Sequence, residues 1–72
     1  SKQLAMESEI ELHNIARLLS ENSAAEIVML VQAMLGRNTA NGLIVDLPSK
    51  HLLVRASQAD QVRIHLWLHP QP

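Results

Sequence analysis

Residues 24–35 read Ala-Ala-Glu-Ile-Val-Met-Leu-Val-Gln-Ala-Met-Leu, a stretch in which only Glu26 and Gln32 are polar. As a helix it is apolar around most of its circumference, so it must be covered on nearly every side. A 72-residue chain has little core to do that with, since a domain near this size buries only roughly 60% of its unfolded surface. The chain has one Trp, no Phe, no Tyr and no Cys. Aromatics supply the largest burial per side chain, and disulfides or thiolate metal sites are the usual staples of small folds. With both missing, self-association is the expected route to a stable structure.

The start of this helix is the strongest local signal. Ser23-Ala24-Ala25-Glu26 matches a capping box, with Ser23 at the N-cap and Glu26 three residues on. Ile27, Leu30, Val31, Met34 and Leu35 form the expected core stripe, and Gly36 stands where a C-cap glycine belongs. Before it, Leu4, Ser8, Leu12, Ile15, Ala16 and Leu19 recur at helical spacing, which predicts a first helix over 2–19. The break at Ser20-Glu21-Asn22 then makes the two helices a hairpin.

After Asn41-Gly42 the periodicity changes from helical to alternating. Strands are expected over 43–47, 51–56 and 61–69, the last from Val62, Ile64, Leu66 and Leu68 against Arg63, His65, Trp67 and His69. A four-residue loop at 47–50 sets Asp46 opposite His51 and Ile44 opposite Leu53. The expected fold is therefore α+β: a single two-layer domain over 1–72, an αα-hairpin packed on a three-stranded antiparallel meander in the order α-α-β-β-β. Its inner face would hold Leu43, Val45, Leu47, Leu52, Val54, Val62, Ile64, Leu66 and Leu68. Ile44, Asp46, His51, Leu53, Arg55, Arg63, His65, Trp67 and His69 would face out.

Seven acidic against six basic side chains leave a formal net charge of −1, which carries no field-level case for nucleic acid or an anionic membrane. The longest apolar run, 27–35, is too short to span a bilayer. No leader is legible, so a cytoplasmic location is the expectation. Phosphate-loop, zinc-protease and nucleophile-elbow motifs are missing, and no cofactor and no enzymatic activity are expected. His65 and His69 have the spacing that chelates a metal on a helix. On the strand expected here they would stand roughly 13 Å apart, so no metal site is assigned.

Two surfaces remain as candidates. On the second helix, Val28, Met29, Gln32 and Ala33 lie on the side that neither sheet nor first helix would cover. On the outer sheet face, Ile44, Leu53 and Trp67 are the apolar members, and Trp is favoured at interface centres. Both point to a non-catalytic protein-interaction or regulatory module, homodimeric through the second helix, the outer sheet face or both. The alternative is a small nucleic-acid-binding module using His51, Arg55, Arg63, His65 and His69 around Trp67 on that face.

Overall fold

The computed structural model describes residues 8–35 and 42–70. Residues 2–7 of the expected first helix, the expected C-cap Gly36 and the loop 37–41 lie outside the described residues. The elements run β1 (Ser8–Asn14), α1 (Ala16–Leu19), α2 (Ala24–Leu35), β2 (Gly42–Asp46), β3 (His51–Ser57) and α3 (Gln58–Leu68). An α+β fold with a three-stranded antiparallel sheet stands as expected, but the order is β-α-α-β-β-α. β3 is central, with β1 and β2 on either side and antiparallel to it. β1 and β2 therefore run parallel with β3 between them, a split β-α-β unit rather than a meander.

The first correction is at the N-terminal end. Ser8–Asn14 is a strand, and of the helix expected over 2–19 only Ala16–Leu19 forms among the described residues. Glu-Ile-Glu-Leu-His over 9–13 alternates as well as it turns. The pairing of all seven residues with β3, from Ser8 opposite Ser57 to Asn14 opposite His51, overrides the helix preference of Glu and Leu. Asn14 ends the strand by accepting the Ala16 N–H at 2.9 Å through Oδ1.

The second correction is at the other end, where the strand expected over 61–69 is the helix α3. Ser57 caps it, its hydroxyl accepting the Asp60 N–H at 3.2 Å. Gln61, Ile64 and Leu68 are its buried residues. Their spacing is helical, and the sequence hides it because Val62 and Leu66 are apolar yet half-exposed on another side. Leu47 was likewise expected in the core but sits exposed in the β2–β3 turn.

α2 forms over the expected range, and its capping box is complete. Ser23 N–H donates to Glu26 Oε1 at 2.9 Å, and Glu26 N–H donates to Ser23 Oγ at 3.2 Å. The Ser23 backbone N–H, and then the Ser23 hydroxyl, hold the Glu26 carboxyl below the usual carboxylate range, against a small opposing desolvation. The buried side of α2 is Ile27, Val31 and Leu35, an i, i+4 row, so Leu30 is turned out rather than into the core.

The core joins that row to Leu52, Val54 and Ala56 of β3, Ile64 and Leu68 of α3, and Ile15 at the end of β1. α3 packs on β1 and β3, and α2 packs on β2. Two arginines tie the helix ends together. Arg17 donates to Leu68 O at 3.2 Å and Arg63 to Met34 O at 3.0 Å, each placing a cation on carbonyls at a negative helix terminus.

Candidate functional site

β1 sets up the site by its facing. Residues of a half-buried strand normally turn apolar side chains toward the core and polar ones toward water. In β1 the helix-side positions are Glu9, Glu11 and His13, while Ile10 and Leu12 point away from the helices and are each 64% exposed. The register sets Leu12 opposite Leu53, and Leu53 opposite Ile44, which is 62% exposed. One transverse row of the outer face is thus Leu12–Leu53–Ile44, apolar from edge to edge. On one side of it lies the row Ile10–Arg55–Gly42, and on the other Asn14–His51–Asp46. No described element packs on this face.

The pairings Asp46–His51 and Ile44–Leu53 are those expected. Asp46 and His51 both bond to Ser49, however: Asp46 Oδ2 accepts from Ser49 Oγ, and His51 Nδ1 donates to Ser49 O at 2.7 Å. Lys50 closes the turn in the left-handed region, at φ 57°.

On the helix side, β1 is fixed by a buried polar side chain at the first position of the strand expected over 61–69, which lies instead in the first turn of α3. Gln61, 1% exposed, donates through Nε2 to Glu9 O at 2.9 Å and to Val54 O at 2.8 Å. With both amide hydrogens used, Oε1 is left to accept, and it lies 2.7 Å from Nε2 of the buried His13. The proton of that contact is therefore on His13 Nε2. Ser57-x-x-Asp60, read as a helix start, would have placed Gln61 in a first turn facing β1. Along this edge Glu11, Leu12 and His13 of β1 and Gln58, Gln61, Val62 and His65 of α3 line a groove of about 230 Å³.

The other expected site residues are scattered. Arg63, His65, Trp67 and His69 belong to α3 or its C-cap, in the layer behind the sheet, so only His51, Leu53, Arg55 and Ile44 of the expected set share the outer face. Trp67 is half-buried against the core. The cations and the aromatic on which a nucleic-acid face would depend are thereby divided between two layers. His65 and His69, one helical turn apart instead of along a strand, have ring centroids 4.8 Å apart. Among the described residues no group of three or more His, Asp or Glu is placed to hold a metal ion. On α2, Met29 is 68% exposed and Gln32 and Ala33 are exposed, while Val28 is half-buried. Met29, Leu30 and Ala33, with Asn22 and Glu26, line a shallow depression of about 390 Å³.

No helix among the described residues is long and apolar enough to cross a membrane. No protein-family model, curated protein or solved structure matches this sequence.

Proposed function

We propose that this chain is a non-catalytic protein-interaction module of regulatory type that binds a protein partner through the outer face of its sheet. The observation that supports the reading is the facing of β1. Its Ile10 and Leu12 extend the Leu53 and Ile44 patch across all three strands, with no helix of the described residues over it. Contiguous apolar surface of this kind, rimmed by Arg55, His51 and Asp46, is the composition of an interface centre and its polar border. The α2 patch around Met29 and Leu30 is a second, smaller contact of the same character.

The test is affinity capture from nuclease-treated lysate of the source cell with three baits: wild type, Ile44→Lys and Leu53→Lys. Both substitutions sit on the outer face and leave the core untouched. A protein held by the wild type and lost from both variants fits the reading. The same proteins retained on all three baits would sink it.

A further inference from the structure

The outer face accounts for Ile10, Leu12, Leu53 and Ile44, but it leaves three features of the β1 edge unused. One is the row of backbone groups on the side of β1 away from β3, where no strand pairs among the described residues. The Ile15 N–H donates to Lys50 O at 2.9 Å, directly across the ladder. In an antiparallel ladder, N–H and C=O of alternate residues point to the same neighbour. Glu9, Glu11 and His13 therefore turn their backbone groups toward β3, and Ser8, Ile10, Leu12 and Asn14 turn theirs to the open edge. This edge is seven residues long and contains no Pro and no Lys, two of the residues that block strand addition; its helix-side Glu9 and Glu11 are inward-pointing charges of the kind that restrict pairing to a register that accommodates them. A second feature is Val62 and Leu66, four apart on α3 and 50% and 52% exposed, with Val62 lining the groove beside β1. The third is the helix-side alternation of Glu9, Glu11 and His13.

We propose that two copies of this chain join edge to edge through β1, antiparallel, with Leu12 opposite Leu12 of the second copy, to form one six-stranded sheet. The alternation selects that register. Centring the pair on Ile10 would set Glu9 opposite Glu11 twice. Centring it on Glu11 would set two carboxylates face to face at the closely spaced pair on the axis. Like charges directly opposite destabilise a ladder. Centring it on Leu12 sets Glu11 opposite His13 on both sides of the axis, a carboxylate against an imidazole whose Nδ1 is not the atom engaged by Gln61. Ile10, Leu12 and Asn14 then meet Asn14, Leu12 and Ile10 of the second copy, each pair exchanging two backbone bonds.

Two consequences favour a second copy as the occupant. The apolar row becomes Ile44–Leu53–Leu12 continued by Leu12–Leu53–Ile44 of the second copy, so the outer face doubles without interruption. The two α3 helices flank the same seam, with Val62 of each lining the groove beside it. The inference rests on the reading of the chain as an interaction module, yet it concerns the edge and not the face.

Sedimentation equilibrium and cysteine crosslinking test it. The wild type at about 50 µM, a range suited to moderate dimers, is expected at twice the chain's mass. Glu11→Gln, at an exposed position, is expected to weaken the dimer about fivefold by removing the two cross-strand carboxylate–imidazole contacts. The chain has no Cys, so Leu12→Cys introduces one thiol, placed near its symmetry mate at a separation a disulfide spans. It is expected to crosslink under mild oxidation, while Ile44→Cys, at the far edge, does not. A monomeric wild type, a Glu11→Gln chain that dimerises more tightly, or crosslinking through Ile44→Cys in preference to Leu12→Cys would each overturn the pairing. The face reading fails separately: a monomer that still loses its captured partner on Ile44→Lys refutes the edge and spares the face.

Discussion

Gln61→Leu isolates the contribution of the buried His13–Gln61 pair, which joins the two layers. The substitution keeps a side chain of similar length at a position 1% exposed and on the buried side of α3. It removes three bonds: those to Glu9 O and Val54 O, and the one from His13 Nε2. The two carbonyls each lose a neutral bond of about 1 kcal/mol net, and the buried imidazole donor left without an acceptor costs about 1–3 kcal/mol. The apolar atoms gained by leucine offset part of this, so the expected loss is about 2 kcal/mol. A domain of this length has a stability of roughly 4–11 kcal/mol at the usual 0.05–0.15 kcal/mol per residue, so the loss is a large fraction. With a urea slope of about 1 kcal/mol/M, typical of the smallest domains, the midpoint should fall by roughly 2 M, followed by Trp67 fluorescence. The companion is His13→Leu combined with Gln61→Leu. Removing both partners leaves no orphaned imidazole, so the double variant should be less destabilised than the sum of the single ones by about 1 kcal/mol or more. A Gln61→Leu chain as stable as the wild type, or strict additivity of the pair, would refute the reasoning.

Four further outcomes follow from the local geometry. Ser23→Ala should cost about 1 kcal/mol, the usual worth of an N-cap. Because the Glu26 carboxyl is lowered in the folded state, its stabilisation is present above the unfolded carboxylate pKa and is lost as pH falls through the lowered folded value; Glu26→Gln should flatten that acid limb in thermal melts, and an unchanged limb would contradict the cap. Lys50→Asn places a residue tolerant of the left-handed region at φ 57° and should stabilise the β2–β3 turn by up to about 1 kcal/mol, read as a rise in the denaturation midpoint. Ile64→Ala should cost about 2–5 kcal/mol while Val62→Ala in the monomer costs under about 0.5 kcal/mol; equal effects would support a strand over 61–69 and contradict the helix.

The parts of the fold that could be read from the sequence are those where two signals agree. Over 23–35 the capping box and the helical period point to the same element, and it forms where expected. Over 42–57 the turn at Pro48 and the alternation on both sides agree, and they fix the register that pairs Ile44 with Leu53. The parts that could not be read are those where one run of residues satisfies two periods. Ser8, Leu12, Ile15 and Leu19 fit a helical stripe, while Glu-Ile-Glu-Leu-His fits a strand, and only pairing with β3 decides between them. In α3 the exposed apolar Val62 and Leu66 complete a false alternation with Ile64 and Leu68, while the Ser57 cap starts a helix. Part of the outer-face apolar patch is legible in the sequence, through Ile44 and Leu53. The rest, Leu12 in the same row and Ile10 in the next, is hidden in a helix that does not form.

The facing of β1 also bears on strand slippage. Since side chains alternate, moving β1 by one residue along β3 would carry Ile10 and Leu12 beneath α3 and turn Glu9, Glu11 and His13 to water. Judged by apolar burial alone, at about 1.5–3 kcal/mol for each large side chain, the shifted pairing competes with the native one. Against it stand the His13–Gln61 bond and Ile15, 1% exposed and hydrogen-bonded to Lys50 O, both of which the shift would pull out of place. A glutamine on α3 thus acts as a ratchet pawl for a strand distant in sequence, holding its hydrophobic teeth outward.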